Sequence, residues 1–214
     1  MIEQLLIGGA SRHAKDIIAT INSELVKIVL FDDITIPKPL IFLNNFSIIN
    51  DIEKARIYFK TNPYFVIGIG GTKSRRDLYN KLISVGGLVK TVIAPNSIIG
   101  NYDITLGEGL NIMPFVFISN SVSIGLGSLI NTKTSIHHDV TIGNFCEISP
   151  NATLLGGVKI GNLTSIGASV TILPNIVVGN NVVVGAGSVV TKDIPDYSLV
   201  VGVPGRLVKK LNPI

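Results

Sequence analysis

Few side chains in this sequence are suited to proton or acyl transfer near neutral pH, and their positions are informative. The histidines are His13, His137 and His138, and the one cysteine is Cys146. His138 is followed at once by Asp139. An imidazole titrates in the range a general base needs. A carboxylate beside it can hold the ring in one orientation. The same run is also what a surface turn with no chemistry would contain, so the reading depends on what the fold sets beside it.

The elements that position these residues are legible from Val92 onward. The chain cuts there into 17 consecutive hexads, from VIAPNS to SVVTKD, ending at Asp193. The third position is Ile, Leu or Val in 15 of them, with Ala94 and Gly100 as exceptions. Those residue types make up about a third of the chain, so chance would give about 6 of 17. A sustained short period means stacked repeats. The expected architecture is a parallel β-helix of triangular section, in which each hexad is a strand and a corner. Three hexads make a coil of 18 residues, and each third-position aliphatic stacks on the residue 18 positions away. Coils then lie roughly 4.8 Å apart. Gly107, Gly125, Gly143, Gly161 and Gly179 recur at that spacing, as do Gly167 and Gly185 at another corner. They are read as corner residues with positive φ, where glycine carries little steric cost.

Stacking places Asn120 one coil before His138 and Gly156 one coil after it. A ring nitrogen beside a glycine has an open slot next to it, and the Gly156 N–H can face that slot. A base, an N–H for an oxyanion and room for an acyl group are what acyl transfer from a thioester requires. A zinc site would need three converging histidines. Two neighbours on one corner and His13 far away in sequence fit that poorly, so no metal is expected.

Before Val92 the pattern changes. Apolar runs at Gln4–Ile7, Lys27–Phe31 and Tyr64–Ile69 read as strands, and Ala14–Ile21 and Ser74–Val85 read as helices. Strand, glycine turn, helix and strand make a βαβ unit, so a small Rossmann-like parallel α/β domain is expected over 1–90. The β-helix with its closing segment would occupy 91–214. Thr35–Phe59 is ambiguous. Gly8-Gly9-Ala10-Ser11 and Gly70-Gly71-Thr72 are turns of a kind that suits phosphate, and Asp32 and Asp33 stand where a ribose-binding acid would. The full GxGxxG fingerprint is absent, and a tight turn without a ligand reads equally well.

Composition narrows the classes. With 18 Lys+Arg against 14 Asp+Glu the net charge is +4, and no basic run exceeds two, which argues against a nucleic-acid binder. A hydrophobic share of 46% excludes disorder. No apolar run approaches the ~18 residues of a membrane span. The N-terminal stretch lacks a basic region ahead of an apolar one, so no signal peptide is read and a cytoplasmic protein is expected. A mean hydropathy of +0.51 is high for a soluble domain, and a core one residue wide and many coils tall accounts for it.

The C-terminal 120 residues resemble the left-handed β-helix of hexapeptide-repeat acyltransferases. The whole chain is similar to the nucleotide-sugar N-acetyltransferase and sialic acid O-acetyltransferase group, through LLIGGASRHAKDII, VLFDD, VIGIGGTKSRRDLYNKL, INTKTSIHHDVTIGNF and the paired glycines of ATLLGGVKIG. That resemblance implies His138 as general base, Asp139 as the acid that follows it, and Gly156 as the N–H donor to the acetyl carbonyl. It implies acetyl-CoA as donor, lying between subunits of a homotrimer near Gly156, Gly167, Ala168, Gly185 and Ala186. It implies a nucleotide-linked amino sugar held by Gly9, Ser11, His13, Asp32 and Asp33. N-acetylation of a 4-amino-4,6-dideoxyhexose is the expected reaction, with O-acetylation of a sialic acid or another sugar hydroxyl as the alternative. Two departures stand out. Arg12 replaces the glycine usual before His13, and Glu147 stands where some members have a second histidine.

Overall fold

The computed structural model describes residues 4–21, 26–35, 41–43 and 45–212. The chain divides into two compact units, one of Met1–Gly70 with Ser74–Val92, the other of Gly71–Lys73 with Ile93–Ile214.

The first unit runs β1 (Gln4–Gly8), α1 (Arg12–Thr20), β2 (Lys27–Phe31), β3 (Ile41–Phe42), β4 (Phe46–Ile49), α2 (Ile52–Phe59), β5 (Tyr64–Ile67), α3 (Thr72–Ile83) and β6 (Leu88–Val89). Its sheet has the order β3-β4-β2-β1-β5-β6. All pairs are parallel except β3 on β4. The central strands are apolar on both faces, as a sheet covered on both sides requires, with Leu6, Ile7, Leu30 and Phe65 to Ile67 fully buried. Helix α3 lies over the end of β1, where a Cβ on Gly8 would stand 3.0 Å from both Leu78 and Leu82. Sequence periodicity left Thr35–Phe59 ambiguous, and it holds β3, β4 and α2; residues 36–40 and 44 lie outside the described part. The start of α2 is set by Asp51, whose carboxylate accepts from the N–H of Glu53 (2.9 Å) and Lys54 (3.2 Å). From β1 the chain goes to β2 on one side and later to β5 on the other. This reversal creates a crevice beyond the strand ends, where open α/β sheets bind ligands.

The second unit is a left-handed parallel β-helix. Two-residue strands stack into sheets of eight, six and five strands, with Ser198–Val201 and the antiparallel Arg206–Lys210 closing the first. The expected stacking interval of 18 holds along the column Ile112, Ile130, Ile148, Ile166 and Val184. From Ile112 to Val190 no third-position residue is more than 3% exposed. First-position residues are buried too, which the sequence reading missed because many are small: Cys146, Ala152, Ser128, Thr134, Thr164 and Ser188. Their hydroxyls are satisfied, as in Ser128 Oγ to Gly143 O (2.9 Å) and Thr164 Oγ1 to Gly179 O (2.8 Å).

Two expectations are corrected. Positive φ does not fall on the fourth-position glycines. It falls on the sixth position, at residues such as Phe115, Lys133, Asp139, Phe145, Asn151 and Leu163. The fourth-position glycines answer to close approach instead. A Cβ on Gly107 would stand 2.7 Å from Leu126 N, and one on Gly161 2.6 Å from Gly179 C. The hexads also do not run without a gap. Ile99 pairs with Ile118, an interval of 19, while Leu106 pairs with Ile124, an interval of 18. One extra residue therefore lies between Ile99 and Leu106. It explains the exceptional Gly100, because Ile99 is the residue packed against the core there. Ala94 follows the same frame, its N–H donating to Ile112 O as that of Gly100 does to Ile118 O.

Candidate active site

His138 and Asp139 occupy the fifth and sixth positions of one hexad, at a corner. Asp139 adopts φ 62°, and its N–H donates to Asn120 O at 3.3 Å. In that conformation its Oδ2 lies 2.7 Å from His138 Nδ1. The carboxylate can only accept, so Nδ1 carries a proton, and in the neutral ring the lone pair is on Nε2. The ring extends over Gly156. A Cβ there would stand 2.5 Å from Cε1 and 2.7 Å from Nε2, so only glycine fits beneath this imidazole. The Gly157 N–H donates to His138 O (3.0 Å) and Gly156 O accepts from Asn175 N (2.9 Å), which fixes this backbone between two coils. Among the described residues the Gly156 N–H has no acceptor. The corner thus offers an oriented imidazole with a free lone pair beside an open backbone donor. His137 points differently, its Nε2 3.3 Å from Ser135 Oγ and its ring edge-on to Phe117.

Gly167, Ala168, Gly185 and Ala186 lie together at another corner of the same unit. A Cβ on Gly167 would stand 2.6 Å from Ala186 N, and Gly187 N donates to Ala168 O at 2.8 Å. The N–H groups of Ala168 and Ala186 have no acceptor among the described residues. Cys146 points inward, fully buried, its Sγ 3.0 Å from Gly161 O. Burial pushes its thiol up to about 12, against smaller lowering by hydrogen bonds.

In the first unit a cavity of about 490 Å³ opens at the carboxyl ends of β1 and β2. Gly9, Ser11, Asp32 and Asp33 all line it, whereas His13 does not. Gly9 has φ 101°, and a Cβ there would strike the Ile69 side chain, so this turn needs glycine. Its N–H donates to Phe31 O at 2.7 Å, and Ser11 Oγ donates to Gly68 O at 3.1 Å, which ties together the ends of β1, β2 and β5. Asp32 accepts from the N–H groups of Ile34 and Thr35 (3.0 Å each) and the Thr35 hydroxyl (2.6 Å). Partial burial raises its pKa, but these hydrogen bonds together outweigh it, and the carboxyl titrates below its ordinary range. Asp33 pairs with Lys81 at 2.5 Å. Sequence reading missed Thr35, Ser74, Asp77 and Lys81, which also line the cavity. Helical spacing from Ser74 to Asp77 to Lys81 was the available signal. It also missed Arg75, fully buried on α3, which donates to Ile69 O at 2.7 Å and braces the turn after β5.

The chain matches the PglD N-terminal domain over residues 4–82 and the bacterial transferase hexapeptide over residues 157–192. No curated protein matches it. Among solved structures it is similar to PerB from Caulobacter crescentus in complex with CoA and GDP-perosamine, at 27% identity and TM-score 0.88, covering 98% of this chain and 99% of that one. A variant of that perosamine N-acetyltransferase has TM-score 0.89 at 26% identity, with the same coverage of both chains. The acetyltransferase domain of PglB from Neisseria gonorrhoeae is 25% identical with TM-score 0.86, covering 96% of this chain and all of that one. With both domain models matched in order, and near-complete overlap with these structures, the chain has the two-part organisation of the left-handed β-helix sugar N-acetyltransferases to which it is similar.

Proposed function

We propose that this sugar N-acetyltransferase moves the acetyl group of acetyl-CoA onto the amino group of a nucleotide-linked amino sugar, a 4-amino-4,6-dideoxyhexose, with His138 as general base. The observation that carries the reading is the His138 ring over Gly156, its Nδ1 held by Asp139 and its Nε2 free. The amine nitrogen attacks the thioester carbonyl carbon and a C–N bond forms. The carbonyl electron pair moves onto oxygen, where the Gly156 N–H receives it. His138 Nε2 takes the proton the nitrogen loses, and Asp139 steadies the imidazolium. When the oxyanion collapses, the C–S bond breaks, and coenzyme A leaves with the proton from His138. The corner of Gly167, Ala168, Gly185 and Ala186 supplies further backbone donors along the donor's path. The cavity of the first unit suits the nucleotide, with the turn at Gly9 and Ser11 for phosphate and Asp32 and Asp33 for ribose hydroxyls. With acetyl-CoA and a nucleotide-linked sugar as its substrates, the proposed reaction is a cytoplasmic one.

The base and its acid are each about two-thirds exposed in one chain, 66% and 64%. Such a corner does not exclude water by itself, and a second copy packed along the β-helix would. The assembly we propose is a homotrimer, checked by light scattering; an active monomer would contradict it. The activity is tested with UDP-, dTDP- and GDP-linked 4-amino sugars, following coenzyme A release and the mass of the product. Turnover with one of these acceptors, and none with free sugars or hydroxyl acceptors, is the expected result. Turnover with sialic acid instead would overturn it.

A further inference from the structure

Position five of each hexad is a corner residue and, unless it is proline, brings a backbone N–H to the corner. At one edge of the β-helix, from Leu126 onward, the acceptor for it is a side chain at position five of the next coil. Leu126 N donates to Asn144 Oδ1, Asn144 N to Asn162 Oδ1 and Asn162 N to Asn180 Oδ1, each at 2.8 Å. Asn180 N then donates to Asp196 Oδ1 at 2.7 Å. The edge that carries His138 starts in the same way, at the coil with the extra residue, where Asn101 N (3.1 Å) and Tyr102 N (3.2 Å) both donate to Asn120 Oδ1. There the rule stops. The position-five residue one coil past Gly156 is Pro174, which has no side-chain acceptor and is exposed.

We propose that Pro174 is a positioning residue for acyl transfer. By withholding the acceptor that asparagine supplies elsewhere, it keeps the Gly156 N–H open for the oxyanion. The inference rests on the reading of Gly156 as the oxyanion donor. Its physical basis is competition. An asparagine at this position would take the N–H into the same hydrogen bond that Asn162 makes with Asn144, and the thioester oxygen would have to displace it. Proline serves further by fixing its own φ and bringing no N–H of its own to the corner. Asparagine already stands at position five at Asn120, Asn144, Asn162 and Asn180, so the exchange asks nothing new of the backbone.

The experiment compares Pro174→Asn with Pro174→Leu and Pro174→Ala in the intact protein. Leucine has nearly the size of asparagine without its acceptor, and Leu126 already occupies a position five. Steady-state kinetics are read beside hydrogen exchange at the 155–157 segment. The expected result for Pro174→Asn is slower exchange at Gly156 and a fall in kcat of at least ~10-fold, approaching the ~10²–10³-fold of a lost oxyanion donor. The acceptor KM should hold, and the Leu and Ala variants should keep near-normal kcat and exchange. An equal loss in Pro174→Leu would overturn the proposal in favour of a steric role. Unchanged exchange with unchanged kcat would show that position 174 does not govern this N–H, leaving the Gly156 reading untouched. Slower exchange with unchanged kcat would overturn both, because the N–H would then be dispensable.

Discussion

Two edges of one β-helix differ in a single habit. Along Leu126, Asn144, Asn162, Asn180 and Asp196, each corner N–H is taken up by a side chain from the neighbouring coil. Along Asn120, His138, Gly156 and Pro174, three successive N–H groups have no acceptor among the described residues. The backbone, the hexad position and the burial of the residues behind are alike. The closed edge gains the modest stability of its hydrogen bonds, about 1 kcal/mol each. The open edge forgoes it, and has donors ready for a ligand. What separates a structural corner from a chemical one is therefore which side chains are withheld as much as which are supplied.

The largest break of this comparison is His138→Asn. Loss of general-base assistance should cut kcat by ~10²–10⁴, equal to about 3–5 kcal/mol, with assembly and melting temperature unchanged. His137→Asn, whose ring faces Ser135 and Phe117, should lose far less, and steady-state kinetics of the two variants decides the matter. Near-normal turnover by His138→Asn would return this corner to the structural kind.

The same glycine-to-alanine change should cost different things at the two edges. At Gly143 the new Cβ would meet backbone, 2.8 Å from Asn162 N and 2.9 Å from Gly161 C. Overpacking of that kind costs about 1–3 kcal/mol, readable as a lower denaturant midpoint. At Gly156 it would meet only the His138 side chain, which is exposed and can be pushed aside at the cost of its contact with Asp139. That variant should fold nearly as well as the wild type and lose activity.

Asp32→Ala moves the test to the first unit. Loss of one charge-assisted contact should raise the acceptor KM about tenfold and leave that for acetyl-CoA alone. Because the folded-state pKa of Asp32 is lowered, its stabilising effect is complete above the ordinary carboxylate range. It is lost as pH falls through the folded value. The stability difference between wild type and variant should therefore shrink on acidification, as thermal melts at pH 7 and pH 3 would show. Asn162→Ala should cost less, about 0.5–1 kcal/mol, since water can reach the exposed Asn144 N–H, and kcat should be untouched. Smallest of all is the response of Cys146. With its thiol at about 12, it should resist alkylation by iodoacetamide at pH 8 in the folded protein and react once denatured.

The β-helix was legible because its third-position aliphatics repeat without regard to neighbours, and the register of 18 follows from that alone. The extra residue between Ile99 and Leu106 was not, since Ala94 and Gly100 look like tolerable exceptions until the pairing is known. Positive φ at position six was hidden because Leu163, Lys133 and Phe145 are residues that usually avoid it, and the stacked corner imposes it on them. His138 and Asp139 could be singled out from spacing. The free lone pair on Nε2 could not, because it depends on a 2.7 Å contact. Around the first-unit cavity the glycine turn and both aspartates were readable, whereas Thr35 lies in a stretch without periodicity and Lys81 needed the helical spacing from Ser74 and Asp77.

A stack of parallel coils has no intrinsic end. Its last coil presents unpaired N–H and C=O groups that would accept another coil, or another molecule, as readily as the coils within. Here the strand Ser198–Val201 takes that place, and Arg206–Lys210 turns back antiparallel over it, with every residue exposed and Arg206, Lys209 and Lys210 on the outside. A copy approaching end-on meets positive charge on a strand of the wrong direction. The hairpin therefore works as a terminator of polymerisation, making a discrete molecule out of a repeat that could otherwise grow as a fibre.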